Sequence, residues 1–176
     1  MPTVSIGDAE IYYEEAGQGP PLMLVSGLNG VLFHNLRRLR QKDFVTLSLL
    51  RFDGGGHVRF AGAHEDIVVC RAATGRCEQV STPGTWLGVK PDVDSHTVEG
   101  RIDLEVGDLL VLYTDGLTEA KDRNGGVYGL ERVIAEIERA PAESAAAIRD
   151  RLTASVRAFM ASQDDDISVL VVRRRA

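Results

Sequence analysis

The first 40 residues alternate between short β-rich runs and glycine-rich breaks. Residues 4–16 carry Gly7-Asp8 between two such runs, which predicts two strands joined by a tight turn. The apolar run at residues 22–25 (LMLV) predicts another short strand, and residues 26–30 (SGLNG) predict a flexible turn. Residues 31–40 instead have apolar side chains at helical spacing and a basic end, so they predict the first helix.

The middle of the chain repeats apolar runs separated by turn residues, which is typical of antiparallel hairpins. Strands are predicted at residues 44–52, 57–62, 67–71, 76–80, 95–104 and 109–113, with an irregular loop at 82–88. Helices at 128–138 and 142–161 and a last strand at 167–173 complete the pattern. A run of strands followed by helices predicts an α+β fold.

Composition excludes several classes of partner. The net charge of −6 is a poor match for nucleic acid or an anionic membrane. No apolar run approaches the roughly 20 residues that cross a bilayer, and the N-terminus lacks the features of a signal peptide. Cys70 and Cys77 match neither a disulfide framework nor a CxxC metal pair, so reduced thiols are expected. We therefore expect a cytoplasmic protein that binds neither nucleic acid nor membrane.

Carboxylates cluster beside two predicted strands. Asp115 follows the apolar run 109–113, and the adjacent Asp164, Asp165 and Asp166 precede the last strand. Such oxygen ligands suit hard divalent cations, and a cation would relieve the repulsion among three neighbouring aspartates. The residues alone leave open a simpler interpretation, in which the acidic run is a solvated turn.

Four segments together resemble the SpoIIE-like, type-2C phosphatase domains. Residues 113–120 (YTDGLTEA) resemble the YTDG-[VL]-TEA motif of that family, and residues 164–168 (DDDIS) resemble its DD-[IM]-T element. Residues 84–88 (GTWLG) resemble its G-x-x-LG loop, and residues 60–65 (FAGAHE) resemble its yaNAGH segment at a strand end. The resemblance extends over residues 31–176.

The resemblance implies an antiparallel β-sandwich flanked by helices, an α/β/β/α fold, and hydrolysis of phosphoserine or phosphothreonine with Mn²⁺ or Mg²⁺. In such sites two bridged metals hold a water molecule and lower its pKa. Position by position, Asp115 and Asp165 match the metal-binding aspartates, and Asp164 or Asp166 could substitute for Asp165. Gly116 follows the first aspartate directly, and we predict that it contributes to cofactor binding.

The start of the family pattern is missing from this chain. The family carries a GD-x-SGHG element before its first helix, and its aspartate bridges both metals. Placing Gly30 on the last glycine puts Val25 at the aspartate and Asn29 at the histidine. The usual two-metal site therefore lacks a ligand. Candidates for a replacement carboxylate are Glu65, Glu15 at the end of the second predicted strand, and a residue of a partner chain.

Residues 1–30 resemble the opening of an α/β-hydrolase, so the sequence indicates a chimera of that segment with a truncated phosphatase domain at 31–176. The chain has no G-x-S-x-G elbow, which disfavours an esterase that uses Ser26. We expect the foreign N-terminal hairpin to complete the truncated sheet. A sheet edge that stays open would invite a second chain, so we predict a homodimer.

Two functions stay open at this point. The first is Mn²⁺- or Mg²⁺-dependent hydrolysis of a phosphoprotein or small phosphoester, with a depleted or rebuilt metal site and promiscuous activity. Its predicted catalytic residues are Asp115, Asp165, Glu65 and His64, the last two as replacement ligands or acid–base groups. His64 and Glu65 also admit a purely structural interpretation. The second function is a catalytically inactive phosphatase remnant that binds a regulatory protein.

Overall fold

The computed structural model describes residues 3–6, 9–12, 22–53 and 55–175, with their side chains from residue 28 onward. Its strands are β1 (Thr3–Ile6), β2 (Ala9–Tyr12), β3 (Leu47–Phe52), β4 (His57–Ala63), β5 (Ile67–Cys70), β6 (Cys77–Val80), β7 (Glu99–Asp103), β8 (Leu109–Tyr113) and β9 (Val169–Arg173). Its helices are α1 (Leu22–Leu39), α2 (Asp115–Thr118), α3 (Leu130–Glu138) and α4 (Ala145–Phe159), and a 3-10 turn covers Asp94–His96.

The strands form three antiparallel sheets. Strands β1 and β2 pair with each other, which confirms the hairpin predicted at the N-terminus. A second sheet has the order β3-β4-β7, and a third has the order β6-β5-β8-β9. Among the described residues, the β1–β2 hairpin pairs with neither larger sheet. The hairpin predicted to complete the truncated sheet is therefore seen only as a separate two-stranded unit.

Alternate side chains of β5 point to opposite faces of its sheet and pack into two different hydrophobic cores. One core lies between the two larger sheets, and the other lies between this sheet and the helices. Ile67 and Val69 pack with Phe60 and Ile102 of the three-stranded sheet. Val68 and the other residues on the opposite face pack against α3 and α4, whose fully buried side chains are Val133, Ile137, Ile148, Leu152 and Val156. The predicted α+β sandwich with flanking helices is therefore confirmed.

The start of α1 differs from the prediction. The strand predicted at residues 22–25 and the turn predicted at 26–30 are wrong, because both segments belong to this helix. A run of four apolar residues does not distinguish a strand from a helical segment. Here the apolar pattern continues in helical register, so that Phe33 and Leu36 are buried.

Asn29 joins α1 to the loop that follows the GTWLG segment. Its side chain is fully buried, and its Nδ2 donates to the carbonyl oxygens of Lys90 (3.0 Å) and Pro91 (3.1 Å). The Gly88 N–H donates to Asn29 Oδ1 at 2.9 Å. All polar atoms of the amide group therefore have partners, which fixes the helix against this loop.

Two further boundaries differ from the sequence prediction because side chains cap turns. The strand predicted at 95–104 is wrong over its first part, where the Asp92 carboxylate accepts bonds from Ser95 Oγ (2.7 Å) and the Asp94 N–H (3.0 Å) and so favours a 3-10 turn. Helix α4 begins at Ala145, later than predicted, because Ser144 Oγ accepts the Ala147 N–H at 3.1 Å. No helix in the described part of the chain is long and apolar enough to cross a membrane.

Asp108 is a buried carboxylate that connects the β5–β6 turn to the start of β8. The N–H groups of Ala72 and Glu105 donate to it at 2.8 and 2.9 Å, and Arg71 forms an ion pair with it at 2.9 Å. Burial raises the pKa of Asp108, but the hydrogen bonds and the Arg71 guanidinium outweigh that effect. The pKa therefore lies below its ordinary value of 3.8.

We expect Asp108→Asn to lower the free energy of unfolding by about 2 to 4 kcal/mol, because Arg71 would lose its buried counter-ion. Since the folded-state pKa is lowered, Asp108 stabilises the fold above the ordinary aspartate pKa, and this contribution disappears as the pH falls through the folded-state pKa. Urea unfolding at pH 7 and pH 3 measures both effects. The variant should lose less stability on acidification than the parent protein does.

Asp150→Asn is the matched control for this substitution. Asp150 lies on the surface of α4 and pairs with the adjacent Arg149 at 2.6 Å. Its loss should change the unfolding free energy by less than about 0.5 kcal/mol. Equal effects of the two substitutions would contradict the structural role given to Asp108.

Candidate metal centre

Asp115 lies where the buried strand β8 passes directly into a one-turn helix. Leu109, Leu110 and Val111 of this strand are fully buried, so the strand holds its end rigidly. The Leu117 N–H donates to the Thr114 carbonyl at 2.9 Å, which starts the turn of α2 at Asp115. The strand end predicted for Asp115 is therefore seen, although α2 itself was not predicted.

Thr114 brings the acidic run before β9 next to Asp115. Its Oγ1 donates to the Asp166 carbonyl at 3.0 Å and accepts the Ser168 N–H at 2.9 Å. The Thr114 N–H in turn donates to the Ser168 carbonyl at 3.1 Å. These bonds extend the pairing of β8 with β9 beyond Tyr113, so the two predicted acidic segments share one end of the sheet.

Gly116 allows the two segments to approach each other. A Cβ added at this buried glycine would lie 2.5 Å from the Asp166 carbonyl oxygen and 3.5 Å from the Asp165 carbonyl carbon. No side chain fits against backbone at the shorter of these distances. The structure thus gives Gly116 a packing role between Asp115 and Asp165, and its predicted contribution to cofactor binding stays a prediction.

The aspartates of this site are exposed and accept only local hydrogen bonds. Asp115 Oδ1 accepts the Gly116 N–H at 2.9 Å, and Asp165 Oδ1 accepts the Asp166 N–H at 2.7 Å. Asp164 Oδ1 accepts the Ser162 hydroxyl at 2.8 Å. Within the described residues, no arginine, lysine or histidine forms an ion pair with Asp115, Asp164 or Asp165. Their charges are therefore available to a cation.

His64 and Glu65 lie in the turn after β4. Thr82 holds this turn, because its Oγ1 donates to the His64 carbonyl at 2.7 Å and accepts the His64 N–H at 3.1 Å. The described contacts of His64 involve its backbone, which agrees with a structural role for the turn. The side chains of both residues are half-buried.

The charge of Asp115 affects the pKa of Glu65. Burial raises the pKa of Glu65; the nearby His64 lowers it, and the negative charges of Asp115, Asp66 and Glu119 raise it further. Asp66 and Glu119 were not singled out in the sequence. Glu119 lies within the YTDGLTEA segment, four residues after Asp115, but the effect of its charge on Glu65 depends on the fold.

The described residues do not complete a metal site by themselves. They contain no group of three or more histidine, cysteine, aspartate or glutamate side chains arranged to hold a metal ion. Val25, at the expected place of the bridging aspartate, lies in α1, while Glu14 and Glu15 lie outside the described residues. The described structure thus brings the backbone at Gly116 against that of residues 165–166 and shows no complete metal site.

A polar pocket lies beside Asp164 and Asp165. Its lining joins the segment after β8 to the segment between α4 and β9: Gly116, Glu119, Ala120, Lys121, Met160, Ser162, Gln163, Asp164, Asp165 and Ile167. Lys121 is the cation of this lining, and its carbonyl accepts the Ala161 N–H at 2.8 Å. A phosphoryl group could therefore meet one positive and several negative groups here.

The sequence matches one family over nearly its whole length. A model of the family described as Stage II sporulation protein E (SpoIIE) matches residues 8–175. The chain belongs to the SpoIIE family. This match confirms the resemblance carried by the YTDGLTEA and DDDIS segments, and it begins inside the segment that resembles an α/β-hydrolase. A search of curated proteins finds no match.

Several solved structures, among them phosphatase domains, share the fold of this SpoIIE-family chain. The Mn-presoaked phosphatase domain of SpoIIE from Bacillus subtilis has a TM-score of 0.64 and 17% identity, covering 99% of this chain and 83% of that one. PppA of Pseudomonas aeruginosa, a regulatory component of T6SS, has a TM-score of 0.66 and 18% identity, covering 86% and 67%. The serine/threonine phosphatase PstP/Ppp of Mycobacterium tuberculosis has a TM-score of 0.56 and 14% identity, covering 84% and 68%.

Proposed function

We propose that this SpoIIE-family chain is a phosphoester hydrolase that works with one weakly held Mn²⁺ or Mg²⁺ ion. The observation that carries the proposal is the close packing of Gly116 against the backbone of residues 165–166, which brings together the two chain segments that carry Asp115 and Asp165. Carboxylates that lack ion-pair partners, as Asp115 and Asp165 do among the described residues, are oxygen ligands of the kind that these hard cations prefer. The Mn-presoaked relative supports the choice of metal.

The carboxylates of the candidate metal centre are enough to bind one cation better than two. Asp115 and Asp165 would hold it, with Asp164 as a neighbouring alternative. Glu65 is the proposed replacement for the missing bridging ligand; burial is the main cause of its raised pKa, and the charge of Asp115 raises that pKa to a lesser degree. A bound divalent cation would supply charge neutralisation at the phosphoryl oxygens and a more acidic water. His64 keeps its predicted acid–base role as part of this proposal.

The exposure of the aspartates favours a broad choice of substrate. Asp115, Asp164 and Asp165 face solvent, so a bulky phosphoester can approach them. We therefore expect promiscuous activity on small activated phosphoesters, in addition to a phosphoprotein substrate. We further propose that the protein is a cytoplasmic homodimer and that its N-terminal segment ends at residue 30.

Hydrolysis of aryl phosphate mono-, di- and triesters tests the proposed function. Turnover should appear with added Mn²⁺, disappear with excess chelator and return when the metal is restored. Absence of turnover at high Mn²⁺, with the protein folded by circular dichroism, would instead favour the inactive, protein-binding remnant. Metal-independent cleavage of carboxylic esters that is lost in Ser26→Ala would favour an esterase.

Lys121 is expected to help bind the substrate phosphate in this site. It lines the pocket beside Asp164 and Asp165, and it makes no ion pair with a described residue. Its attraction should partly offset the repulsion between a phosphoester and the surrounding carboxylates. We expect Lys121→Met to raise KM for an aryl phosphate about 5-fold with little change in kcat, as fits an exposed charge pair of about 1 kcal/mol.

Lys42→Met is the control for the loss of one positive charge. Lys42 lies in the loop after α1, outside the lining of the pocket, and is exposed. Its replacement should leave KM unchanged. Equal KM values for the parent and Lys121→Met would show that the lysine does not contact the phosphate.

A further inference from the structure

Cys70 and Cys77 lie directly opposite each other on β5 and β6, away from the candidate metal centre. The register of the two strands pairs Cys70 with Cys77, so both side chains point to the same face of the sheet. Cys70 is fully buried, and Cys77 is half-buried and packs against the same core. Both are free cysteines in this structure.

Backbone hydrogen bonds show which kind of cross-strand pair these cysteines form. The Arg71 N–H donates to the Arg76 carbonyl at 2.9 Å, so the neighbouring pair of residues is hydrogen-bonded. The Cys77 N–H donates to Glu138 Oε1 of α3 at 2.8 Å. Since hydrogen-bonded and non-hydrogen-bonded pairs alternate along an antiparallel ladder, Cys70 and Cys77 form a non-hydrogen-bonded pair.

This type of pair brings the two side chains within reach of a disulfide. Opposed Cα atoms of non-hydrogen-bonded pairs are roughly 4.5 Å apart, and disulfides span Cα distances of about 4.4 to 6.8 Å. The thiols of Cys70 and Cys77 lie close enough for each to influence the pKa of the other. The backbone therefore needs little movement to accept the bond.

We infer that Cys70 and Cys77 are a site of oxidative modification, at which a small-molecule disulfide such as oxidised glutathione forms an intrachain disulfide. The more accessible Cys77 thiolate attacks one glutathione sulfur and releases one glutathione thiolate. The Cys70 thiolate then attacks the Cys77 sulfur of the mixed disulfide and releases the second glutathione. Two protein thiols are oxidised, one glutathione disulfide is reduced, and the two thiol protons pass to the two glutathione thiolates.

The surroundings of the pair make the reaction slow at neutral pH. Burial raises the pKa of both thiols, and the negative charge of Glu138 raises it further. The thiolate is the reactive form, so exchange is expected to be faster at pH 9 than at pH 7. The pair should therefore remain reduced under mild conditions and oxidise on sustained exposure to an oxidant.

The disulfide would stabilise the fold without reaching the candidate metal centre. Cys70 pairs with Leu109 at the start of β8, whereas Asp115 follows the opposite end of that strand. A cross-link between Cys70 and Cys77 closes a short loop of the unfolded chain, so we expect Tm to rise by about 5 °C. Phosphoesterase turnover of the oxidised protein should equal that of the reduced protein.

Incubation of the whole chain with oxidised glutathione at pH 9 tests the inference. We expect loss of both free thiols, an intact mass lower by two hydrogen atoms, a peptide that joins Cys70 to Cys77, and a higher Tm that dithiothreitol reverses. Cys77→Ala should give no cross-link and no rise in Tm under the same treatment. Persistent free thiols, accumulation of the mixed disulfide, cross-linked dimers, or an unchanged Tm would each overturn the inference.

Discussion

Asp115→Asn should reduce Mn²⁺-dependent turnover of an aryl phosphate by about 100-fold or more. The substitution keeps the size of the side chain and its bond to the Gly116 N–H, but it removes one of the two charges that would hold the cation. Because Asp115 is exposed and forms no ion pair with a described residue, the fold should tolerate the change. Steady-state rates across a Mn²⁺ titration measure the effect.

Asp150→Asn is the matched control, since it removes the same charge from the exposed surface of α4. It should leave both turnover and its dependence on Mn²⁺ unchanged. Partial recovery of Asp115→Asn at high Mn²⁺ would fit weakened binding of the metal. Full activity of Asp115→Asn at every Mn²⁺ concentration would show that this carboxylate has no part in the reaction.

Gly116→Ala is expected to lower both stability and turnover. The added Cβ would lie 2.5 Å from the Asp166 carbonyl oxygen, and that atom belongs to backbone, so the acidic segment must move away. Overpacking of this kind costs about 1 to 3 kcal/mol. A displacement of about 1 Å between the two carboxylates is enough to lower turnover by about 100-fold. Thermal unfolding and Mn²⁺-dependent rates measure the two effects.

Gly30→Ala provides the comparison for this substitution. Gly30 lies inside α1, and nothing lies within 4 Å of a Cβ placed there. Alanine is favoured over glycine in a helix by about 0.8 to 1 kcal/mol, so this variant should be at least as stable as the parent. If Gly116→Ala were as stable and as active as Gly30→Ala, the close approach of the two acidic segments would not matter for function.

The strands and the site motifs could be predicted because their signals are local. Short apolar runs such as 67–70 and 109–113 lie between turn residues, and their burial follows from that pattern. Asp115 and Asp165 were found from motifs whose positions lie at strand ends. Hydrogen bonds of Thr114 bring these ends together, and the pairing of β8 with β9 makes their proximity a direct consequence of the sheet.

The start of α1 could not be predicted, because it depends on distant partners. The LMLV run fits a strand or a helix equally well, and glycines within 26–30 favour a turn locally. The loop contacts of Asn29 with Gly88, Lys90 and Pro91 lie about 60 residues away in sequence and stabilise the helix there. The influence of Glu119 on the pKa of Glu65 is similarly tertiary, because the two residues lie more than 50 positions apart, whereas Asp66 is the sequence neighbour of Glu65.

Binding of Mn²⁺ to the purified chain tests the central claim most directly. Titration followed by electron paramagnetic resonance should show one Mn²⁺ per chain, with an affinity reduced at least about 10-fold in Asp115→Asn and in Asp165→Asn and unchanged in Asp150→Asn. This result would place the cation between the ends of β8 and β9. Absence of binding, or binding that both aspartate variants leave unchanged, would contradict the account.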